Sequence, residues 1–137
     1  MQVDFSSIED VESYISIPEG TYRSRVSEVR TSLTRDGSPR WAMRLEVVEG
    51  EFAGRTAGWD SLVWSERGLP RVKTVLACLG FDVSGPLDID PDDLLGKQVS
   101  ADFIPEEHED PHSGRKLTRL RVPYMGYRSL ERDDAPF

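Results

Sequence analysis

The sequence predicts an all-β domain with one helix: five strands curled into a small barrel, with the helix between the third and fourth. Three observations carry this. Trp41, Met43, Leu45 and Val47 share one phase while Ala42, Arg44 and Glu46 share the other, the period of two of a half-buried strand. Residues 65–80 switch to a helical period, with Leu69, Val72, Val75, Leu76 and Leu79 on one stripe. Turn chemistry punctuates the remaining runs, as in Asp36-Gly37-Ser38-Pro39 and Glu49-Gly50.

In chain order, Ser6 and Ser7 precede Glu9 and Asp10 at capping-box spacing, which suits a short helix over 5–14 acting as a flap. Pro18-Glu19-Gly20 then breaks the chain and starts the first strand, where Tyr22, Ser24 and Val26 alternate with Arg23, Arg25 and Ser27. Val29 breaks that phase and predicts a bulge. The second strand holds residues 41–47 and the third spans 52–64, where Gly54 and Gly58 mark a sharp bend or the close approach of another chain. Pro70 suits the first helical turn, and Gly80 followed by Phe81 suits a C-cap with a hydrophobic latch. The apolar stripe of this helix is expected to seal an open end of the barrel. An acidic connection over 82–96, with one helical turn at Asp92 to Leu95, leads to strands over 97–104 and 116–125. In the last, Leu120, Val122 and Tyr124 fall opposite Arg119 and Arg121. Three strands, a helix and two strands match the order of an oligonucleotide-binding barrel; a generic mixed barrel or an α+β sandwich fits the same pattern.

The chain has 137 residues, room for one domain of roughly 100 residues with appendages. The expected division is an acidic extension over 1–17, the barrel over 18–125 and a flexible acidic tail over 126–137. No stretch approaches the ~20 apolar residues that span a bilayer, and the acidic start MQVDFSSIED does not suit a signal peptide, so a cytoplasmic chain is expected. The single cysteine, Cys78, excludes an internal disulfide and reads as a quiet thiol within an apolar run.

A net charge of −8 taken alone argues against nucleic acid. The layout argues otherwise. Asp4, Glu9, Asp10, Glu12 and Glu19 occupy the first nineteen residues without a base, and residues 82–96 and 105–114 are likewise acidic. Arg23, Arg25, Arg30, Arg35, Arg40 and Arg44 crowd residues 20–48, and Arg115, Lys116, Arg119 and Arg121 crowd 115–123. Positive charge is thus expected on strands and negative charge on connections. Most of the bases are Arg, whose planar fork suits phosphates and stacks on bases, though genomic composition produces the same bias.

Motifs for catalysis are scarce. His108 and His112 flank a proline, so the helical pair of a zinc site is missing and a solvated hairpin tip competes with a weak metal site. The acids of DIDPDD lack the glycine-centred spacing of a calcium loop. There is no phosphate-cradling glycine loop and no nucleophile elbow, and scattered acids such as Asp60 and Asp102 make only a weak case for a two-metal nuclease. No catalytic residue, metal or cofactor is therefore expected. The constellation with more content is basic and aromatic: Arg23, Arg25, Arg44, Arg55, Arg119 and Arg121 can track phosphates on the solvent side of neighbouring strands. Trp59 shares phase with Arg55 and is the first candidate to stack a base; Trp64, then Tyr127, follow. Against this, Trp59 also suits a core position or a bend filler, and isolated arginines also serve as solubilising surface.

Pro18-Glu19-Gly20-Thr21-Tyr22, Gly50-Glu51-Phe52-Ala53-Gly54-Arg55, Leu79-Gly80 and Leu95-Gly96-Lys97-Gln98-Val99 resemble a family of small phage-associated proteins, first catalogued as a domain of unknown function, over residues 18 to 125. The resemblance implies single-stranded-DNA binding in replication, recombination and repair within a bacterial or phage-infected cytoplasm. Asp133-Asp134-Ala135-Pro136-Phe137 is similar to the acidic tip of bacterial single-stranded-DNA-binding proteins, which docks on replication and repair partners. That likeness implies partner binding by Asp133, Asp134, Pro136 and Phe137, although Ala135 stands where Ile is usual and the long linker is missing. The function expected is non-catalytic binding of single-stranded DNA, with homo-oligomerisation left open. An acidic protein-interaction module without DNA binding is the alternative.

Overall fold

The computed structural model describes residues 17–109 and 112–128. The strands are β1 (Gly20–Leu33), β2 (Pro39–Val47), β3 (Thr56–Val63), β4 (Gln98–Glu109), β5 (Lys116–Arg121) and β6 (Tyr127–Arg128), with one α-helix, α1 (Leu69–Cys78), between β3 and β4. The sheet runs β3-β2-β1-β4-β5, with β6 beside β4, and every pairing is antiparallel. Long β1 serves two partners: residues 20–25 pair with β4 and residues 24–33 with β2. The bulge announced by Val29 falls between Val26 and Glu28, and there Gly96 donates to the Val26 carbonyl while Val26 donates to Lys97. After it the alternation resumes in a new phase, so Arg30 shares a face with Arg44 rather than with the buried Val26.

Met43, Leu45 and Val47 of β2 are fully buried with Val26, Leu62, Val99 and Phe103. Val72, Val75 and Leu76 of α1 close over the same core, and Trp41 packs against it with its ring 4.7 Å from that of Trp64. The helix ends as its sequence dictates. Phe81 N–H donates to the Leu76 carbonyl and Gly80 N–H to Ala77, the paired bonds of a Schellman cap, with Gly80 at φ +101°. The acidic connection carries a short 3-10 turn, Pro91–Leu94, where the Asp93 carboxylate accepts from Asp90 N–H and Leu94 enters the core.

Two expectations are corrected. The sheet is open: among the described residues no ladder joins β3 to β5, so the closed five-stranded oligonucleotide-binding barrel predicted from the strand order is not formed. The edges do approach at Gly58, where an added Cβ would sit 3.0 Å from the Leu120 carbonyl oxygen and 3.5 Å from the Phe103 ring. Farther along, side chains occupy the gap instead of backbone bonds: Asp60 of β3 meets Arg71 of α1 and Tyr127 of β6. The third strand is also shorter than predicted, because Gly54, at φ +88°, belongs to the turn before it.

The last strand is interrupted. Ile104 faces Arg121, so an unbroken ladder would set Ala101 against Tyr124; it faces Tyr127 instead, three residues later. Pro123 lacks the N–H needed to continue the ladder, and Gly126 N–H folds back onto its carbonyl. Tyr124 and Met125 are thereby pushed out to solvent, while Tyr127 returns to the sheet. Tyr127 and Arg128, which the sequence reading assigned to a tail, thus belong to the folded unit; the tip from Asp133 to Phe137 and the N-terminal flap lie outside the described residues. No described helix is long and apolar enough to cross a membrane.

Candidate functional site

The unpaired edges of β3 and β5 border a groove of about 940 Å³. Its floor includes the outer face of β2 and β3, where small Ala42 stands opposite small Ser61. These small residues leave a trough between larger ones. Arg30, Arg40, Arg71, Arg119 and Arg121 line it, with Asp60 and Glu106 as the acids and Trp59 and Tyr124 as the aromatic rings. Five guanidinium groups against two carboxylates make the trough electropositive in a chain of net charge −8.

Each cation is held by its neighbours. Arg40 donates from Nε to Ser61 Oγ at 3.0 Å. Arg30 leaves its bulge-shifted position on β1 with its guanidinium 4.7 Å from the centre of the Trp59 ring and paired with Glu28. That places a planar cation on the indole face, a favourable cation–π arrangement. Arg119 and Arg121 share Glu106 across the β4–β5 ladder, at 3.3 and 2.8 Å. Arg71 reaches from α1, donating to Asp60 Oδ2 at 2.8 Å and to the Ser61 carbonyl at 3.2 Å, with its guanidinium 5.9 Å from the Tyr124 ring centre. Burial opposes the charge on Arg71, but the Asp60 carboxylate overcomes it and holds the guanidinium pKa above its ordinary value.

Tyr127 completes this cluster from below, its hydroxyl donating to Asp60 Oδ2. Burial, and then the negative charge of Asp60, push its pKa well above the ordinary tyrosine value. An unfolded tyrosine titrates near pH ~10. The folded state holds the proton more tightly, so this contribution to stability is complete below about pH 10 and is lost as pH rises toward the folded pKa. Urea midpoints should therefore fall with alkaline pH more steeply for the native chain than for Tyr127→Phe. Equal slopes would remove Tyr127 from the linkage.

The residues singled out from the sequence divide into three groups. Arg119, Arg121 and Trp59 meet in the groove, and Trp59 is 38% exposed, open enough to receive a ring. Arg44 lies directly opposite Trp59 on β2, with Nε donating to Thr56 Oγ1 at 2.7 Å beside the groove wall. Arg23, Arg25 and Arg55 lie elsewhere: Arg23 is paired with Glu49, Arg25 with Glu46, and Arg55 sits in the turn before β3. Trp64 packs on Trp41 at the core boundary rather than in the groove, and Tyr127 is buried beneath it. Sequence reasoning did not assign Arg30, Arg40, Arg71 and Tyr124 to the site. Arg40 was within reach, since it shares the period-two phase of Ala42 and Arg44. Arg71 carried no signal, because only the docking of α1 brings it to Asp60. No described group of three or more His, Cys, Asp or Glu side chains is arranged to hold a metal ion.

A basic, aromatic trough on a small open β-sheet defines a candidate ligand-binding domain. The chain belongs to the family described as "Protein of unknown function (DUF669)", whose family model matches residues 1–117. No curated protein matches the chain.

Proposed function

We propose that the chain binds single-stranded DNA without catalysis, along the groove between β3 and β5. The observation that carries this reading is the convergence of Arg40, Arg71, Arg119 and Arg121 with the partly exposed rings of Trp59 and Tyr124 in one trough. Guanidinium groups on both walls suit a phosphate backbone, and rings between them suit unpaired bases, whose π-faces make stacking tolerant of sequence. A duplex hides those faces, so single strands are the preferred ligand. The acidic segment containing Asp133, Asp134, Pro136 and Phe137 fits recruitment of replication or recombination proteins to that strand, a role that leaves the groove free.

The test is titration of the full chain with a labelled single-stranded oligonucleotide and with its duplex at two salt concentrations. Tighter binding of the single strand, weakening steeply with salt, is expected. Arg121→Ala should weaken binding of every sequence and reduce the salt slope by about 0.7 for a lost phosphate contact. Trp59→Ala should cost about 1 to 3 kcal/mol per stacked base with the slope little changed. Its unfolding midpoint should fall only modestly, because the ring is 38% exposed and the guanidinium stacked on it belongs to the surface residue Arg30. No single-strand binding at low salt would leave a protein-interaction module as the better reading.

A further inference from the structure

Glu106 stands out among the groove's acids. It is paired with Arg119 in the β4–β5 register and diagonal to Arg121, and it uses a different carboxylate oxygen for each: Oε1 to Arg119 Nη2 at 3.3 Å and Oε2 to Arg121 Nε at 2.8 Å. Two guanidinium groups converging on the two oxygens of one anion is the arrangement a phosphate would take from the same pair. Its neighbour Glu107 faces the other way and pairs with Lys116 at 3.9 Å, outside the trough. All three side chains of the Glu106 triad are partly open to water, so the carboxylate can leave without stranding a buried charge.

We propose that Glu106 is a built-in competitor, the stand-in that occupies the Arg119–Arg121 anion site until a backbone phosphate of the bound strand displaces it. The proposal rests on the reading of the groove as a single-strand site and adds how that site is regulated. In the free chain Glu106 keeps two arginines pointed into the trough and satisfied, which preorganises them. The same carboxylate lowers the affinity for any single anion, because each phosphate must first break two ion pairs. A strand that engages Arg40 and Trp59 as well meets that cost with several contacts, whereas a small anion cannot. Glu106 therefore sets a threshold that favours an extended polyanion over isolated phosphate.

The experiment compares the full-length native chain, Glu106→Gln and Glu107→Gln, at matched low salt, with the labelled single-stranded oligonucleotide and separately with inorganic pyrophosphate. Both variants remove one negative charge; only one removes the competitor. Glu106→Gln should bind the oligonucleotide about 2- to 10-fold more tightly, from two exposed ion pairs no longer broken. Its gain for pyrophosphate should be larger than its gain for the strand, and Glu107→Gln should show little of either. Arginine Nε resonances of Arg119 and Arg121 should shift on pyrophosphate addition in Glu106→Gln at concentrations that leave the native chain unmoved. Equal tightening by Glu107→Gln would overturn the proposal in favour of overall charge, and weaker or unchanged binding of both ligands by Glu106→Gln, with its unfolding midpoint preserved, would overturn it outright. If none of the three proteins binds the oligonucleotide, the single-strand reading fails, and pyrophosphate alone then decides whether Glu106 guards an anion site.

Discussion

Phe103→Ala is expected to remove about 3 to 5 kcal/mol of folding stability, the largest effect of any single core change in this domain. The ring is 1% exposed, lies 6.1 Å from that of Tyr22, and sits beneath Gly58, where β3 comes closest to β5. It therefore does two things that a neighbouring aliphatic residue does not. It fills the centre of the sheet, and it supports the seam that backbone hydrogen bonds leave open. Because domains of this kind are stable by only about 5 to 15 kcal/mol, the variant should retain a small margin. Urea unfolding should show an early midpoint, and single-strand binding should fall further than the folded fraction explains, because the groove floor at Gly58 and Trp59 loses its backing. Phe103→Leu should recover most of the stability, since the larger part of the volume returns. A loss below about 1 kcal/mol for the Ala variant would show that the seam is held by something other than this ring.

The elements of the fold were legible wherever a local rule decided them. Met43, Leu45 and Val47 announced a half-buried strand, Gly80 and Phe81 announced the helix cap, and the broken phase at Val29 announced the bulge one turn of the ladder earlier. What the sequence could not announce is which edges pair. Closure of a barrel depends on β3 meeting β5, residues some sixty positions apart, whereas Asp60 of β3 meets Arg71 and Tyr127, contacts that only the docking of α1 and β6 creates. The ion-pair partners of the basic residues were hidden for a related reason. Arg25, Arg119 and Arg121 have no acids beside them in the chain, yet each has one across the ladder, Glu46 or Glu106, supplied by register. Charge seen along a strand is therefore a poor guide to charge on a sheet face. Trp59 was legible only in part, because the sequence left stacking and core filling both open and the Arg55 that set its phase lies in the turn before β3, whereas Tyr124 was hidden because three inserted residues moved it from the predicted strand to the rim.

Asp60→Ala tests what holds the open seam where Phe103 does not reach. The carboxylate lies between the Arg71 guanidinium and the Tyr127 hydroxyl, with the Asp60 and Arg71 side chains only 14% and 18% exposed. Removing it leaves a largely buried cation with only the Ser61 carbonyl as a hydrogen-bond acceptor and a buried hydroxyl without its acceptor. Truncating one partner of such a pair costs about 3 to 5 kcal/mol, and the remaining exposure places this case near the lower end. Asp60→Asn should cost less, because an amide oxygen still accepts from Tyr127 while the charge facing Arg71 is lost. The informative partner is Arg71→Met, which removes the cation and retains the apolar stem. If the damage in Asp60→Ala is chiefly the stranded charge, the double variant should be more stable than Asp60→Ala alone, and the double-mutant cycle should show coupling well above 0.5 kcal/mol. Additive losses would mean that Arg71 escapes to the groove and is hydrated there once Asp60 is gone. In that case Asp60→Ala should also bind single strands more tightly, since it frees a guanidinium on the wall of the trough; the two outcomes separate a structural clamp from a charge held in reserve.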